Sequence, residues 1–364
     1  MNWTLLEQLV SLHSTPGEED AVMAHLTQAW LQAGLTVENL GRFAVIARPP
    51  HPSGKPVVLI CAHADSPGYS VQSISENGLE STVIPLGGPH MVEGHLKEQV
   101  WVSCDDGSII PGVLRRSRKY RRRGASQWEY TLKTEQPVQR GARVCWQGDI
   151  ECTEESIFAP FLDNRIGCFL LEELASHFSD ADCEVILAAT TSEEYLGFGA
   201  DVLAHAVHPD LVFALDATYA DKEQKVSMGA GPVLTLSDKS VCLARCQWHA
   251  LQDFCSAHQI PLQAEIYNFS GTDARAFPVA GRYCPVFPLL VATEGNHTPR
   301  EEARLCDIAF LFNLLTAVCH TPELLPLLVC GWQSGTCAVK APSEQRTSKE
   351  KERTGRKRRK GLKA

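Results

Sequence analysis

The sequence lacks the segments that are typical of membrane, secreted and nucleotide-binding proteins. No apolar run approaches the roughly 20 residues that span a bilayer. The first ten residues lack a basic region and carry Glu7, so they predict an amphipathic helix and not a signal peptide. Gly229-Ala230-Gly231 leads into Pro232, which does not fit a loop that cradles phosphate at a helix start. We therefore expect a cytoplasmic protein without a membrane span or a phosphate loop of this kind.

Paired cysteine motifs and internal repeats are also absent. The chain has 14 cysteines but no Cys-x-x-Cys pair, and Cys61, Cys168 and Cys319 stand in apolar segments where a free thiol behaves as a small hydrophobic group. We expect these thiols to be reduced. The 364 residues, 44% of them apolar, suffice for one large domain or two smaller ones.

The charge is divided unevenly along the chain. The net charge is -9, but residues 343–364 hold ten Lys or Arg and three Glu, which makes this stretch about +7 and the rest about -16. The stretch has almost no large apolar side chains, so we expect a disordered tail. It is either a solvated extension or a segment that contacts nucleic acid, ribosomes or an acidic neighbouring subunit.

Five short polar motifs supply two histidines and several carboxylates. They are Ala62-His63-Ala64-Asp65, Leu162-Asp163-Asn164-Arg165, Ser192-Glu193-Glu194, Leu215-Asp216-Ala217-Thr218 and Asn296-His297-Thr298-Pro299. Three of them come after the apolar runs Pro56 to Cys61, Val185 to Ala189 and Leu211 to Leu215, which are typical of buried parallel strands. Ligands of an open α/β sheet bind beyond the carboxyl ends of its strands, so we expect the motifs to converge there.

The residue types suit two adjacent divalent metal ions. A carboxylate can bridge two cations, and Asp163 is the natural bridge. His63 with Asp216 would complete one half of the site, and His297 with Glu194 the other. Imidazole and carboxylate ligands favour zinc, with cobalt or manganese as alternatives, over calcium.

Two further carboxylates have predicted roles beside the metal ligands. Asp65 lies two residues after His63, where it can accept the other ring N–H and fix the tautomer. Glu193 points away from Glu194 and can face the cavity, where it can take a proton from water and pass it to a leaving amine.

Each of these residues alone has an ordinary structural explanation. His63 fits a hydrogen-bonded core histidine, Asp163 a helix cap, and Asp216 a turn. Thr298 and Pro299 fit the start of a helix near Arg300. Only their joint occurrence, in this order and spacing, favours the metal site.

The series of motifs resembles the tetrahedral, or glutamyl and deblocking, aminopeptidases, peptidase family forty-two of the metallo class, from about Asn2 to about Leu328. Beyond the carboxylates and histidines, the resemblance extends to Gly199-Ala200, Gly229-Ala230-Gly231-Pro232, Leu236-Ser237-Asp238-Lys239-Ser240 and Gly271-Thr272-Asp273-Ala274. It implies that His63, Asp163, Glu194, Asp216 and His297 bind two metal ions, that Glu193 is the general base, and that Asp65 orients His63. It also implies a homo-oligomer of up to twelve subunits.

The chain departs from the family pattern near the predicted site. Ser66-Pro67-Gly68 stands where a glutamate usually follows, Tyr195-Leu196-Gly197-Phe198 replaces a Val-Gly step, and Asn164 replaces a frequent aspartate. No predicted ligand is lost. We expect these changes to affect the shape of the substrate pocket.

The predicted fold is α/β, with a mixed, mainly parallel sheet flanked by helices as in phosphorylase/hydrolase-like catalytic domains, and an inserted small β-barrel. The catalytic domain takes residues 1–71 and 159–333, the barrel 72–158, and the disordered basic tail 334–364. Helices are predicted near 164–178, 198–206, 241–258 and 300–319. The stretch Arg115 to Arg123, with seven basic residues, predicts a solvated hairpin tip, a subunit contact or a channel lining.

The function predicted from these residues and the resemblance is removal of N-terminal residues from peptides by an aminopeptidase with two metal ions. A deacylase of N-acyl amino acids or peptides with the same metal site is one alternative. A scaffold of low activity, whose basic tail contacts nucleic acid, is another. Glycoside hydrolysis is disfavoured, because it normally uses two carboxylates without metal ions.

Overall fold

The structure is a computed structural model that describes residues 1–120, 126–178 and 180–329. The predicted basic tail, 334–364, and part of the basic stretch Arg115 to Arg123 lie outside the described residues. Among the described helices, none is both long enough and apolar enough to cross a membrane.

A mixed sheet forms the centre of the molecule. Its strands are β1 (Thr36–Leu40), β2 (Ala44–Arg48), β3 (Val57–His63), β10 (Glu151–Cys152), β11 (Ser156–Ala159), β12 (Glu184–Thr190), β13 (Leu211–Tyr219), β14 (Val233–Ser237), β15 (Gln263–Ile266), β16 (Val286–Glu294) and β17 (Glu301–Arg304). They lie in the order β1-β2-β12-β3-β13-β16-β17-β11-β10, with β14 and β15 off this path. The four central strands β12, β3, β13 and β16 are parallel to one another, and strands at both edges are antiparallel.

Helices cover both faces of this sheet. In chain order they are α1 (Trp3–Val10), α2 (Asp20–Gln32), α3 (Leu162–Leu174), α4 (Phe198–Ala206), α5 (Arg245–Ala257), α6 (Ala276–Val279), α7 (Leu305–Cys319) and α8 (Leu325–Leu328). Alternate residues of β3 enter opposite cores: Val58 and Ile60 pack with α1, α2, α3 and α7, while Leu59 and Cys61 pack with α4 and α6. Burial on both faces explains why these strands are continuous apolar runs.

The remaining strands close into a barrel. They are β4 (Gly68–Ile74), β5 (Glu80–Leu86), β6 (Lys97–Ser103), β7 (Ile109–Tyr120), β8 (Ser126–Thr134) and β9 (Arg143–Trp146), in the closed order β4-β5-β8-β7-β6-β9. Tyr69 and Trp146 fill its interior with their rings 5.5 Å apart. The barrel thus lies between His63 and Asp163 in the chain, and the predicted α/β class with a mixed sheet and an inserted barrel is confirmed.

The strands that follow the barrel belong to the large sheet. The barrel strands run from Gly68 to Trp146, whereas β10 and β11 pair with each other and with β17 of the sheet. The predicted domain boundaries at 72 and 158 remain a proposal about which segments fold together.

The helix predicted from Arg300 was wrong at its start. Residues 301–304 form β17, which pairs with β11 and β16, and the helix begins at Leu305. Glu301 and Ala303 are buried while Glu302 and Arg304 are half-buried, an alternation with the period of a strand. Thr298 and Pro299 therefore do not start a helix.

A partly buried ion pair joins α2 to α3 and makes the stability of the fold depend on pH. His25 Nε2 lies 2.8 Å from Glu172 Oε2. The hydrogen bond with Glu172 raises the pKa of His25, although partial burial opposes this. A raised pKa means that the charged pair stabilises the fold fully below the ordinary histidine pKa of about 6.5, and that this stabilisation is lost as the pH rises through the higher folded value.

We expect His25→Gln to lower the free energy of unfolding at pH 6 by about 1 kcal/mol, because the variant lacks the charged imidazole that pairs with Glu172. The effect should be smaller at pH 9, because less of the imidazole is charged at that pH. Urea unfolding at both pH values measures this. His51→Gln, at an exposed histidine, is the control. An equal loss at pH 6 and pH 9 would contradict the assignment to this charge.

Candidate metal centre

The predicted site residues converge at one edge of the large sheet. His63 ends β3, Asp216 lies near the carboxyl end of β13, and His297 follows β16. Glu193 and Glu194 follow β12 in the loop that leads to α4. Because β12, β3, β13 and β16 are parallel neighbours, their carboxyl ends bring these side chains together.

Asp163 joins them from the first turn of α3. Its backbone is not helical, with φ -83° and ψ 102°, and its peptide bond to Asn164 is cis. Asn164 Nδ2 donates to the carbonyl of Leu215 on β13 at 2.7 Å, and Asn164 Oδ1 accepts from the amide of Gly167. The asparagine that departs from the family pattern therefore ties the start of α3 to β13.

The two oxygens of Asp163 face two different imidazoles. His63 Nε2 lies 3.3 Å from Asp163 Oδ1 and 3.3 Å from Asp216 Oδ1. His297 Nε2 lies 3.4 Å from Asp163 Oδ2 and 3.3 Å from Glu194 Oε1. The ligand atoms within each of these two groups lie within 4.8 Å of one another, close enough to hold a metal ion.

A third such group overlaps the other two. His63, Glu193 and Glu194 also offer ligand atoms within 4.8 Å of one another. Glu193 lies in the wall of a cavity of about 320 Å³, together with Tyr195, Lys239 and Thr272. Of the two adjacent glutamates, Glu193 lines this cavity, whereas Glu194 contacts His297.

Asp65 holds the glutamate pair through the backbone. Its Oδ1 accepts from the amide of Glu193 at 3.0 Å, and its Oδ2 accepts from the amide of Glu194 at 3.1 Å. His63 Nδ1 lies 3.1 Å from the Asp65 carbonyl oxygen and 3.6 Å from Asp65 Oδ1. Asp65 therefore contacts His63 mainly through its carbonyl. Its fully buried carboxylate holds the loop after β12 that carries both glutamates.

Glu301 has a matching role that the sequence did not reveal. Its Oε2 accepts from the amide of Asp163 at 2.9 Å, and its Oε1 accepts from the amide of His297 at 2.8 Å. It is 1% exposed and lies in β17, within the segment predicted as a helix. The sequence Glu301-Glu302-Ala303-Arg304 has no alternation of apolar and polar residues, so nothing in it indicated a strand with Glu301 on its buried face.

His297 is held by the barrel as well as by Glu301. Trp146 Nε1 and the amide of His90 donate to the His297 carbonyl at 3.1 and 2.9 Å. The ring nitrogen Nδ1 lies 3.1 Å from the carbonyl of Gly88. These contacts fix His297, whose φ is +66°, with Nε2 directed at Asp163 and Glu194.

Arg165 braces the loop that carries Asp65. Its Nη1 donates to the Ala64 carbonyl at 2.7 Å and to Ser66 Oγ at 3.1 Å, and its Nε donates to the Leu9 carbonyl at the end of α1. Burial lowers the pKa of this fully buried guanidinium. Ser66 stands where the family usually has glutamate, and its hydroxyl accepts a hydrogen bond from Arg165 inside the protein.

Burial dominates the electrostatics of the centre. It raises the pKa of Asp216 to about 7 and the pKa values of Glu193 and Glu194 well above their ordinary range. Burial would also raise the pKa of Asp163, but His297 and His63 hold it below its usual range. The pKa of His297 rises to about 10 because Glu194 and Asp163 outweigh the effect of burial.

These side chains fit divalent cations. Asp163 Oδ1 and Glu194 Oε1 are buried and receive no hydrogen bond from the described residues. Imidazole nitrogens lie 3.3 Å from each of these oxygens without meeting hydrogen-bond geometry. Several carboxylates packed in a buried pocket repel one another, and buried oxygens that accept no hydrogen bond are costly, so a cation between them would offset both penalties. The mixture of imidazole and carboxylate suits zinc, cobalt or manganese.

A buried set of histidines and carboxylates at the carboxyl edge of a parallel sheet is typical of metal-dependent hydrolases. The family model described as M42 glutamyl aminopeptidase matches residues 44–314. The chain therefore belongs to the M42 glutamyl aminopeptidase family, whose members are metal-dependent peptide-bond hydrolases, and the resemblance found in the sequence is confirmed.

Individual relatives and solved structures are similar to this chain. A putative aminopeptidase of Acetivibrio thermocellus is 27% identical over 86% of this chain and 98% of its own length. An aminopeptidase of the archaeon Desulfurococcus kamchatkensis has a similar fold, with a TM-score of 0.79, 21% identity and coverage of 91% of this chain and 98% of that one. The TET1 peptidase of Pyrococcus horikoshii, described as able to assemble into a tetrahedron or a large octahedral shell, matches with a TM-score of 0.75, 20% identity and coverage of 87% and 98%.

We expect Glu301→Gln to lower the affinity for zinc by about 10- to 100-fold, since an amide has one acceptor oxygen and cannot hold the backbones of Asp163 and His297 together. Competition with a chromophoric chelator measures the affinity. Glu302→Gln, at the adjacent half-buried position of the same strand, is the matched control. Equal zinc affinity in the two variants would show that Glu301 does not support the centre.

Proposed function

We propose that this protein is an aminopeptidase that uses two divalent metal ions. The observation that carries the proposal is the position of Asp163, whose two oxygens lie near two different imidazoles, Oδ1 near His63 and Oδ2 near His297. His63, Asp163 and Asp216 would hold one ion, and Asp163, Glu194 and His297 the other. Asp163 would then bridge the pair, as carboxylates do in other sites with two metal ions.

Zinc is the ion we propose, and cobalt or manganese has the same ligand preference. When bound, the ions supply Lewis acidity that favours ionisation of water and polarises the scissile carbonyl. The residues of this chain supply the proton transfers and the positioning.

We assign the role of general base to Glu193. Its carboxylate lies beside His63 and Glu194 and borders the cavity, where water and a peptide can both reach it. It accepts a proton from the attacking water and returns that proton to the departing amine. Asp65 is a positioning residue for this step, because it holds the amides of both glutamates.

The substrates we propose are peptides with a free α-amine. The cavity of about 320 Å³ next to Glu193 is large enough for the side chain of the first residue. Peptides with free and with acetylated N-termini distinguish an aminopeptidase from the deacylase alternative, because only the former requires the free amine.

The experiment that tests this function is hydrolysis of a panel of short peptides with free or acetylated N-termini, after reconstitution with zinc, cobalt or manganese. We expect release of the first residue from free N-termini only, loss of activity on chelation and recovery on return of the metal. Turnover of acylated substrates alone would favour the deacylase. Binding of two ions without turnover of any substrate would favour the scaffold.

We expect Glu193→Gln to lower kcat by about 10²- to 10⁴-fold, the usual contribution of a general base, and to leave two metal ions per subunit. Steady-state kinetics and metal analysis of the same sample measure the two quantities. Glu223→Gln, at an exposed glutamate, is the control. Full activity of Glu193→Gln would remove this residue from the mechanism, whereas loss of metal would make it a ligand.

We also propose homo-oligomerisation, up to a dodecamer. The dodecamer described for a structure of PhTET1 and the tetrahedron or octahedral shell described for the TET1 peptidase support it. Sedimentation of the full chain tests it. A cytoplasmic location and contact of the basic tail with nucleic acid remain predictions from the sequence.

A further inference from the structure

A second group of reactive side chains lies outside the metal centre. Cys145 Sγ, on barrel strand β9, lies 3.0 Å from His13 Nδ1, in the segment after α1. The other ring nitrogen, His13 Nε2, lies 3.1 Å from Glu18 Oε2 and 3.1 Å from Thr15 Oγ1. A thiol, an imidazole and a carboxylate thus follow one another, which is the arrangement that activates a nucleophilic cysteine.

The charged groups around this triad keep its parts in place. Glu18 also interacts with Ser103 of β6 and with Arg143 of β9, and these contacts and His13 lower its pKa despite burial. Arg143 in turn donates to the carbonyls of Pro16 and Gly141. From α3, the guanidinium of Arg165 adds a favourable charge interaction with Cys145.

The imidazole is the positive partner of this arrangement. Burial disfavours its charged form, but Cys145 and Glu18 outweigh burial and raise the pKa of His13 to about 9. A positively charged imidazole in contact with a thiol favours the thiolate, which is the nucleophilic form of cysteine.

Cys145 and His13 both lie in the wall of a cavity of about 480 Å³. Other wall residues are mainly apolar and include Val10, Leu12, Trp101, Trp146, Ile150 and Phe161. Cys145 itself is 4% exposed, so reagents reach it through this cavity and not from the open surface. The apolar wall favours small uncharged molecules over charged ones.

We propose that Cys145 is a modification site for small, uncharged, apolar electrophiles of the α,β-unsaturated carbonyl class, with His13 as its ion-pair partner and Glu18 as the residue that orients His13. The thiolate forms a bond to the β-carbon, and the electron pair of the carbon–carbon double bond moves onto the carbonyl oxygen as an enolate. His13 donates its proton, and the enolate becomes a saturated carbonyl compound with S–H added across the double bond. No oxidant or leaving group is required.

The test uses the full chain and N-ethylmaleimide, an uncharged α,β-unsaturated carbonyl compound. Short labelling with less than one equivalent, followed by digestion and mass spectrometry, gives the relative labelling of each cysteine. At pH 6.5 we expect Cys145 to be labelled before the exposed thiols of Cys152, Cys242 and Cys306.

Two variants test the ion pair. We expect His13→Gln to slow labelling of Cys145 at pH 6.5 by at least about tenfold. Glu18→Gln should give a smaller decrease, and His51→Gln, at an exposed histidine, should give none. Urea unfolding of each variant shows whether its fold is intact.

The proposal is overturned if the exposed cysteines react first and Cys145 reacts only in urea. It is also overturned if folded His13→Gln reacts at the unaltered rate. Should His13→Gln fail to fold, the order of labelling in the unaltered protein and the Glu18→Gln variant decide. Neither result depends on metal ions or peptide hydrolysis, so failure here leaves the proposed function untouched.

Discussion

A carboxylate held between two imidazoles is the constraint on which this structure depends. Asp163 is buried and each of its oxygens lies near one histidine, at 3.3 Å from His63 and 3.4 Å from His297. Burial of this carboxylate would be costly without the two imidazoles, because a buried charge requires close partners of opposite sign. The partners come from β3 and the loop after β16, and Asp163 itself comes from the start of α3, so the site exists only in the assembled sheet.

Backbone amides provide the second level of support. Asp65 accepts from the amides of Glu193 and Glu194, and Glu301 accepts from those of Asp163 and His297. Each of these buried carboxylates joins two segments that carry proposed metal ligands. A backbone hydrogen bond fixes the chain itself, which limits the positions that the attached side chains can take.

The barrel contributes to both reactive regions of the molecule. It supports His297 through Trp146 and through the loop that contains Gly88 and His90. The neighbouring residue of Trp146 on β9, Cys145, contacts His13 beyond the end of α1. One short strand therefore braces the metal centre through the indole of Trp146 and also contributes Cys145 and Trp146 to the wall of the cavity beside His13.

The sequence by itself determined the α/β class, the central strands and the family. Continuous apolar runs before His63, near Glu193 and around Asp216 define buried parallel strands, and motif order defines the family, because both are properties of local chain segments. Tertiary structure alone decided the position of Glu301, the use of the Asp65 carboxylate for two amides, and the meeting of Cys145 with His13. Each of these depends on contacts between residues more than 100 positions apart or on a strand too short to recognise, and local propensity carries no information about which distant groups will meet.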